Sequence, residues 1–131
     1  MLPSRPTGGT ASGTAPEPLT VEFTSRVVRA VREVAATEIL PRFRAVEARR
    51  KDDGSLVTEA DLATQRALAE ALGRIEPVAL LGEEMPEAEQ RRIWEAGGRF
   101  WCVDPLDGTA NFSAGVPYFA VSVAYLYKGE R

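Results

Sequence analysis

The run "RFWCV" at residues 99–103 is apolar enough to demand burial, and it leads straight into "DPLDGTANF". Such a segment reads as a strand inside a sheet. It ends against two aspartates, Asp104 and Asp107, in a stretch without a basic residue. Proline at 105 favours extended backbone at Asp104, and Asp-Pro is a favoured turn opening. Asp104 is therefore expected to end the strand, and Asp107 to come round the turn toward the same side. A carboxylate at the edge of a core needs a partner, because desolvating an unpaired charge is costly. A remote Arg or Lys meets that need, and so does a metal ion. Oxygen ligands of this kind suit Mg²⁺.

The rest of the chain narrows the chemistry. Its 131 residues suffice for one domain with a real core. With 16 Lys+Arg against 19 Asp+Glu, the formal charge of −3 gives no reason to expect nucleic acid or an anionic membrane as partner. No apolar stretch approaches the ~20 residues of a membrane span, and the first residues lack the apolar core of a signal peptide. The single cysteine, Cys102, excludes an internal disulfide framework and fits a reducing cytoplasm. There is no histidine. His-based general bases, His-ligated zinc and Ser-His-Asp triads are thereby excluded.

Residues 1–18, rich in Pro, Gly, Ser, Thr and Ala, read as a disordered tail. From Thr20 onward Val21, Val27, Val28, Val31, Ala35, Ile39 and Leu40 recur at roughly helical spacing, with Pro41 ending or kinking the helix. "RRKDDGSLV" reads as a loop or short hairpin. "TEADLATQRALAEALGRI" reads as a second helix, with Thr58 as cap, Asp61 at the third helical position and Leu62, Leu68 and Leu72 on its apolar side. "VALLGEE" reads as a short buried strand ending in acid. "MPEAEQRRIWEAGG" is polar with room for one helical turn. "YFAVSVAYLYKGER" alternates as a long strand, with a turn at Lys128-Gly129-Glu130. Two helices followed by strands favour an α+β fold, helices packed on a largely antiparallel sheet, over a repeating βαβ plan. The last strand stops where a hairpin partner should begin, which reads as the front part of something longer.

Asp-Pro and Asp-Gly pairs are common turn formers, and Glu83-Glu84 or Asp61 taken singly reads as a solvated pair or a helix cap. Three acidic elements, each at the end or start of an apolar element, are harder to dismiss. Gly108 and Thr109 follow the aspartates, and their N–H groups would open a short helix at "TANF", a natural phosphate cradle. For a phosphate ester held in such a cradle, with no histidine and no thiol nucleophile expected, water would be the attacking group. Metal ions can activate that water and stabilise the leaving alkoxide. Cys102, Trp94 and Trp101 read as packing residues, and the Arg pairs at 49–50 and 91–92 as solvated surface.

"KDDGSLVTEAD", "LLGEEM" and "WCVDPLDGTANF", in this order and spacing, resemble the inositol monophosphatase family of magnesium-dependent, lithium-sensitive phosphatases. The core "DPLDGT" would arise by chance in such a chain on the order of once in 10⁵. The resemblance runs from about residue 20 to the end and implies the N-terminal half of a layered αβαβα fold. It implies that Glu83, Asp104 and the Leu106 carbonyl are ligands of a first Mg²⁺, and Asp104 and Asp107 of a second. It implies that Gly108 and Thr109 hold phosphate through their backbone. The Thr109 hydroxyl, hydrogen-bonded to Asp61, resembles the pair that positions the attacking water. Lys51 falls where the family has a lysine in a loop near the metals, and Glu84 is similar to an acid that supports the ligands from behind. Met85 departs from the small polar residue of many members. The family's last metal-ligand aspartate and most contacts to the substrate alcohol have no counterpart in this sequence, so the chain alone is expected to be a poor phosphatase.

The resemblance implies a phosphomonoesterase acting on a small polyol phosphate such as inositol 1-phosphate, cytoplasmic and homodimeric when full-length. Related enzymes accept sugar bisphosphates, histidinol phosphate or 3′-phosphoadenosine 5′-phosphate. "DGTANF" leans toward the inositol branch, because the nucleotide branch usually carries a charged pair after the threonine. A reading of another class stands beside these: a truncated domain that binds metal or a partner without turnover.

Overall fold

The structure, a computed structural model, describes residues 20–43, 49–50 and 56–128. The expected tail, Lys51 and the turn at 129–130 lie outside the described residues. Helix α1 spans Val21–Val34 and is capped by Thr20, whose hydroxyl accepts the Phe23 N–H at 3.1 Å. Its buried face runs through Phe23, Val27, Ala30, Val31 and Val34. That face differs from the expected stripe: Val21 is 85% exposed and Leu40 62%. The helix passes into a π-helical turn at Ala35–Ile39 and a 3₁₀ turn at Leu40–Arg42. Pro41 has no N–H to continue the α pattern, so the end of the helix loosens before it stops, as expected.

Strands β1 (Arg49–Arg50) and β2 (Leu56–Val57) pair antiparallel, the hairpin form of the expected loop. Helix α2 spans Glu59–Ile75. Leu68 and Leu72 are fully buried on the side that faces the sheet and α1. Strand β3 (Ala79–Gly82) is followed by α3 (Glu87–Ala96) and β4 (Gly98–Asp107), and β3 and β4 run parallel. This is a βαβ unit where the sequence suggested one helical turn. No residue of α3 is buried, so it carries no strong apolar period to read. Gly97, at φ 70°, stops it. Helix α4 (Thr109–Ser113) is one turn long, and β5 (Ala120–Lys128) returns antiparallel to β4.

The sheet order is β3-β4-β5. Antiparallel pairing dominates it, with eight register pairs between β4 and β5 against four between β3 and β4. Alternation along β4 sends Trp101 and Val103 to the face covered by α1 and α2. Phe100 goes to the other face, where Trp94 of α3 meets it edge-on at 6.1 Å. Trp94 is thus a packing residue, half exposed, with the Lys128 ammonium over its ring at 4.2 Å. Cys102 is half-buried and has no disulfide. A second apolar cluster of Ile39, Ala60, Leu106 and Phe112 sits at the C-terminal end of β4, with Phe43 and Phe119 packed against it. It anchors α4 and the segment before it.

Candidate metal and phosphate site

Strand β4 does not end at Asp104. Register pairs Asp104 with Ser122 and Asp107 with Ala120, so three steps on β4 face two on β5. The extra residue is a β-bulge. Pro105 and Leu106 are buried within it. A proline has no ladder hydrogen to lose, which is why the bulge falls there. The Leu106 N–H folds back to donate to Asp104 Oδ1 at 3.2 Å. The expected simple turn is therefore a bulged strand, and the bulge re-aims the two aspartates.

Asp104 is half-buried, and Glu83, just past the end of the parallel neighbour β3, stands beside it. The Glu83 N–H donates to Val103 O at 3.3 Å, which fixes it next to β4. Burial pushes the Asp104 carboxyl up to about 6, and its hydrogen bond with Glu83 and the Glu83 charge add to the rise. The Leu106 amide pulls the other way, and Asp107 adds a smaller repulsion. Asp107 is exposed. The structure thus brings together a pair, Glu83 with Asp104, and leaves Asp107 as a flanking charge. Among the described residues, no group of three or more His, Cys, Asp or Glu side chains is assembled to hold an ion.

The donor chemistry nonetheless fits a hard cation. Two adjacent carboxylates and a peptide carbonyl are oxygen ligands, and Mg²⁺ is commonly held by one or two carboxylates while keeping several waters. Burial is the larger cause of the rise at Asp104, and the Glu83 charge that adds to it is what a cation placed between the pair would offset.

The expected contact between Thr109 and Asp61 is present. Thr109 Oγ1 lies 2.8 Å from Asp61 Oδ1 across 48 residues of sequence, and 3.1 Å from the Leu106 carbonyl. One hydroxyl carries one proton, and the shorter, charge-assisted bond to Asp61 is the stronger. Asp61 is fully buried. Its Oδ2 accepts the Thr58 N–H at 2.7 Å and the Thr58 hydroxyl at 2.6 Å. Thr58 and Asp61 form the capping box of α2. A buried carboxylate that accepts three hydrogen bonds is held in one orientation, and the Thr109 hydroxyl is fixed with it.

Gly108 joins β4 to α4 at φ 92°, in the left-handed region. A Cβ there would stand 2.9 Å from the Tyr118 carbonyl. Gly108→Ala is therefore expected to destabilise the fold by about 1–3 kcal/mol, measurable as a lowered urea midpoint. A groove of about 420 Å³ opens beside Gly108, lined by Asp107, Asn111, Tyr118 and Phe119 among others. Asn111 Nδ2 braces it by donating to the Tyr118 carbonyl at 3.1 Å. A larger hollow of about 630 Å³ lies along α1 between Thr20 and Glu33 and shares no residue with this site. Glu84 is half-buried, and its N–H donates to Gln65 Oε1 at 2.9 Å. Gln65 was not singled out in the sequence. Its position one helical turn after Asp61, on the same face, was the available signal.

One mixed sheet thus carries a carboxylate pair, a buried Asp–Thr couple and a left-handed glycine beside a groove. The Inositol monophosphatase family matches over residues 19–131, and the chain belongs to that family. It is similar to the Nus factor SuhB of Pseudomonas aeruginosa, with 40% identity over 92 residues, 70% of this chain and 33% of that protein. The 3′(2′),5′-bisphosphate nucleotidase CysQ of Salmonella typhimurium is 40% identical over 87 residues, 65% of this chain and 34% of that protein. Among solved structures, the Thermotoga maritima IMPase superposes with a TM-score of 0.69 at 29% identity, covering 83% of this chain and 41% of that one. An IMPase/NADP phosphatase complexed with NADP and Ca²⁺ gives 0.69 at 25%, covering 85% and 42%. The chain matches about a third of the length of these curated relatives.

Proposed function

We propose that this chain carries the metal-binding part of a Mg²⁺-dependent phosphomonoesterase acting on a small polyol phosphate such as inositol 1-phosphate. The observation that carries the reading is the Thr109–Asp61 hydrogen bond, joined to the Glu83–Asp104 pair through Leu106, whose N–H meets Asp104 and whose carbonyl meets the Thr109 hydroxyl. Glu83, Asp104 and the Leu106 carbonyl would hold one Mg²⁺, and Asp104 with Asp107 a second. Bound there, the ions supply the positive charge that activates water and stabilises the leaving alkoxide. The chain's own residues do the rest. Asp61 holds the Thr109 hydroxyl proton, which leaves the Thr109 oxygen lone pairs free to orient a water. The backbone N–H groups of Gly108 and Thr109 would receive phosphoryl oxygens. The groove beside Gly108 is large enough for a small phosphate ester. Lithium sensitivity, a cytoplasmic location and a homodimer belong to the same proposal, and so does a role for Lys51 near the metals.

The substrate choice is supported by the resemblance of "DGTANF" to the inositol branch and by the T. maritima IMPase as a structural neighbour. Similarity to CysQ keeps phosphorylated nucleotides as the competing substrate class. A non-catalytic, partner-binding role is the second reading, and similarity to a relative named as a Nus factor favours it. The test is phosphate release from inositol 1-phosphate, fructose 1,6-bisphosphate, histidinol phosphate and 3′-phosphoadenosine 5′-phosphate. It is run on the chain and on any longer polypeptide carrying it, with Mg²⁺ and with excess chelator. Mg²⁺-dependent turnover greatest on inositol 1-phosphate is expected of a longer polypeptide, with little or none from the chain alone; no turnover on any of the four in any form tested favours the partner-binding role.

Thr109→Ala should lower turnover by about 10²-fold, the scale of one positioned proton-handling group. Asp61→Asn should lower it by a similar amount. The double variant should be little worse than either, because the two residues act as one unit. Losses that multiply would show that they act separately.

A further inference from the structure

We infer that Gln65 is a positioning residue for the Glu83 carboxylate, so that a single face of α2 sets both halves of the site. The inference rests on the reading of Glu83 and Asp104 as a Mg²⁺ pair. Asp61 aligns Thr109, and Gln65, one turn further along α2, reaches the segment that carries Glu83. Its side-chain oxygen accepts the Glu84 N–H at 2.9 Å, a contact spanning 19 residues. On the other side the Glu83 N–H is tied to Val103 of β4. The peptide units flanking Glu83 are thus pinned from the helix and from the sheet.

Gly82 is built for this contact. A Cβ at 82 would run into the Gln65 amide, falling 2.6 Å from its Cδ. Gly82 is buried and has no side chain to place elsewhere, so the space it leaves is the space Gln65 fills. After Glu84 the chain turns back, with the Met85 N–H donating to the Gly82 carbonyl at 3.2 Å. Without Gln65 this short turn would keep its tie to β4 but lose its tie to α2. The Gln90 amide of α3 also donates to the Glu83 and Met85 carbonyls, at 3.4 and 2.9 Å, so the turn is held from α3 and β4 as well, and Gln65 is its tie to α2.

The test uses the 131-residue chain and two readouts. Hydrogen exchange of the Glu84 amide is measured without metal, and Mg²⁺ affinity by titration calorimetry, with thermal melting as a control for folding. Gln65→Leu should speed exchange at Glu84 by about 3- to 10-fold. It should weaken Mg²⁺ binding by about 10- to 100-fold, the usual cost of losing a group that orients a ligand. Gln65→Glu keeps an acceptor oxygen at the same reach and should leave Glu84 protected. Gly82→Ala should mimic Gln65→Leu, and the two combined should add little. Failure of the unsubstituted chain to bind Mg²⁺ would overturn the metal reading, and the positioning role with it. Mg²⁺ binding by the unsubstituted chain with equal affinity in Gln65→Leu, or an unchanged Glu84 amide in that variant, would overturn the positioning role alone.

Discussion

Asp104→Asn is expected to reduce phosphatase turnover by about a thousandfold or more, equivalent to about 4 kcal/mol of lost transition-state stabilisation. Asparagine keeps the shape of the bulge and can still accept the Leu106 N–H. What it loses is the charge that pairs with Glu83 to attract a cation. The loss should not come from unfolding, and the sign of the titration shift says why. The folded-state value of Asp104 is raised from 3.8 to about 6. Its contribution to stability is therefore full below the unfolded value and is lost as pH rises through about 6. At neutral pH in chelator the ionised side chain opposes folding, and neutral asparagine does not. Asp104→Asn should melt no lower than the unsubstituted chain at pH 7 in chelator, and turnover close to normal would reduce Asp104 to a bulge residue.

The largest effect on stability should follow Trp101→Ala, a loss of about 3–5 kcal/mol. Trp101 is 1% exposed at the centre of β4. Its ring stacks on Phe23 of α1 at 6.0 Å and meets Tyr125 of β5 at 4.8 Å. Its Nε1–H donates to the Glu76 carbonyl at the end of α2 at 3.1 Å. One side chain thus ties both helices to two strands. Removing it opens a cavity and leaves a buried carbonyl with one hydrogen bond fewer. Trp101→Phe, which keeps most of the volume but loses the donor, should cost about 1–2 kcal/mol in urea unfolding. Equal losses for the two variants would mean that the hydrogen bond, not the packing, matters.

Much of this was legible in the chain because local chemistry and tertiary role agree. Thr58 and Asp61 read as a cap, and they are one; the buried Asp61 then serves Thr109 from the same position. The strands read from their apolar runs, and Trp101 read as a packing residue. What escaped lacks a local signature. No residue of helix α3 is fully buried, so its parallel join between β3 and β4 left no strong periodic trace. Val21 and Leu40 match helical spacing yet face solvent, because the spacing cannot say which face meets the sheet, and Phe23 takes the buried place instead. The bulge at Pro105 reads as a turn from sequence, since Asp-Pro favours both. Gln65 shares a face of α2 with Asp61, a turn further on, but what it reaches there shows only when Gly82 and Glu84 are beside it in space.

The central claim is that Glu83 and Asp104 together hold Mg²⁺. Carboxyl ¹³C resonances of the chain, followed through a Mg²⁺ titration at neutral pH, test it most directly. The account predicts that the Glu83 and Asp104 signals move together and saturably, that chelator reverses the change, and that Asp104→Asn abolishes the movement at Glu83. Carboxyl signals that stay still at millimolar Mg²⁺, or a Glu83 response unaltered by Asp104→Asn, would contradict it.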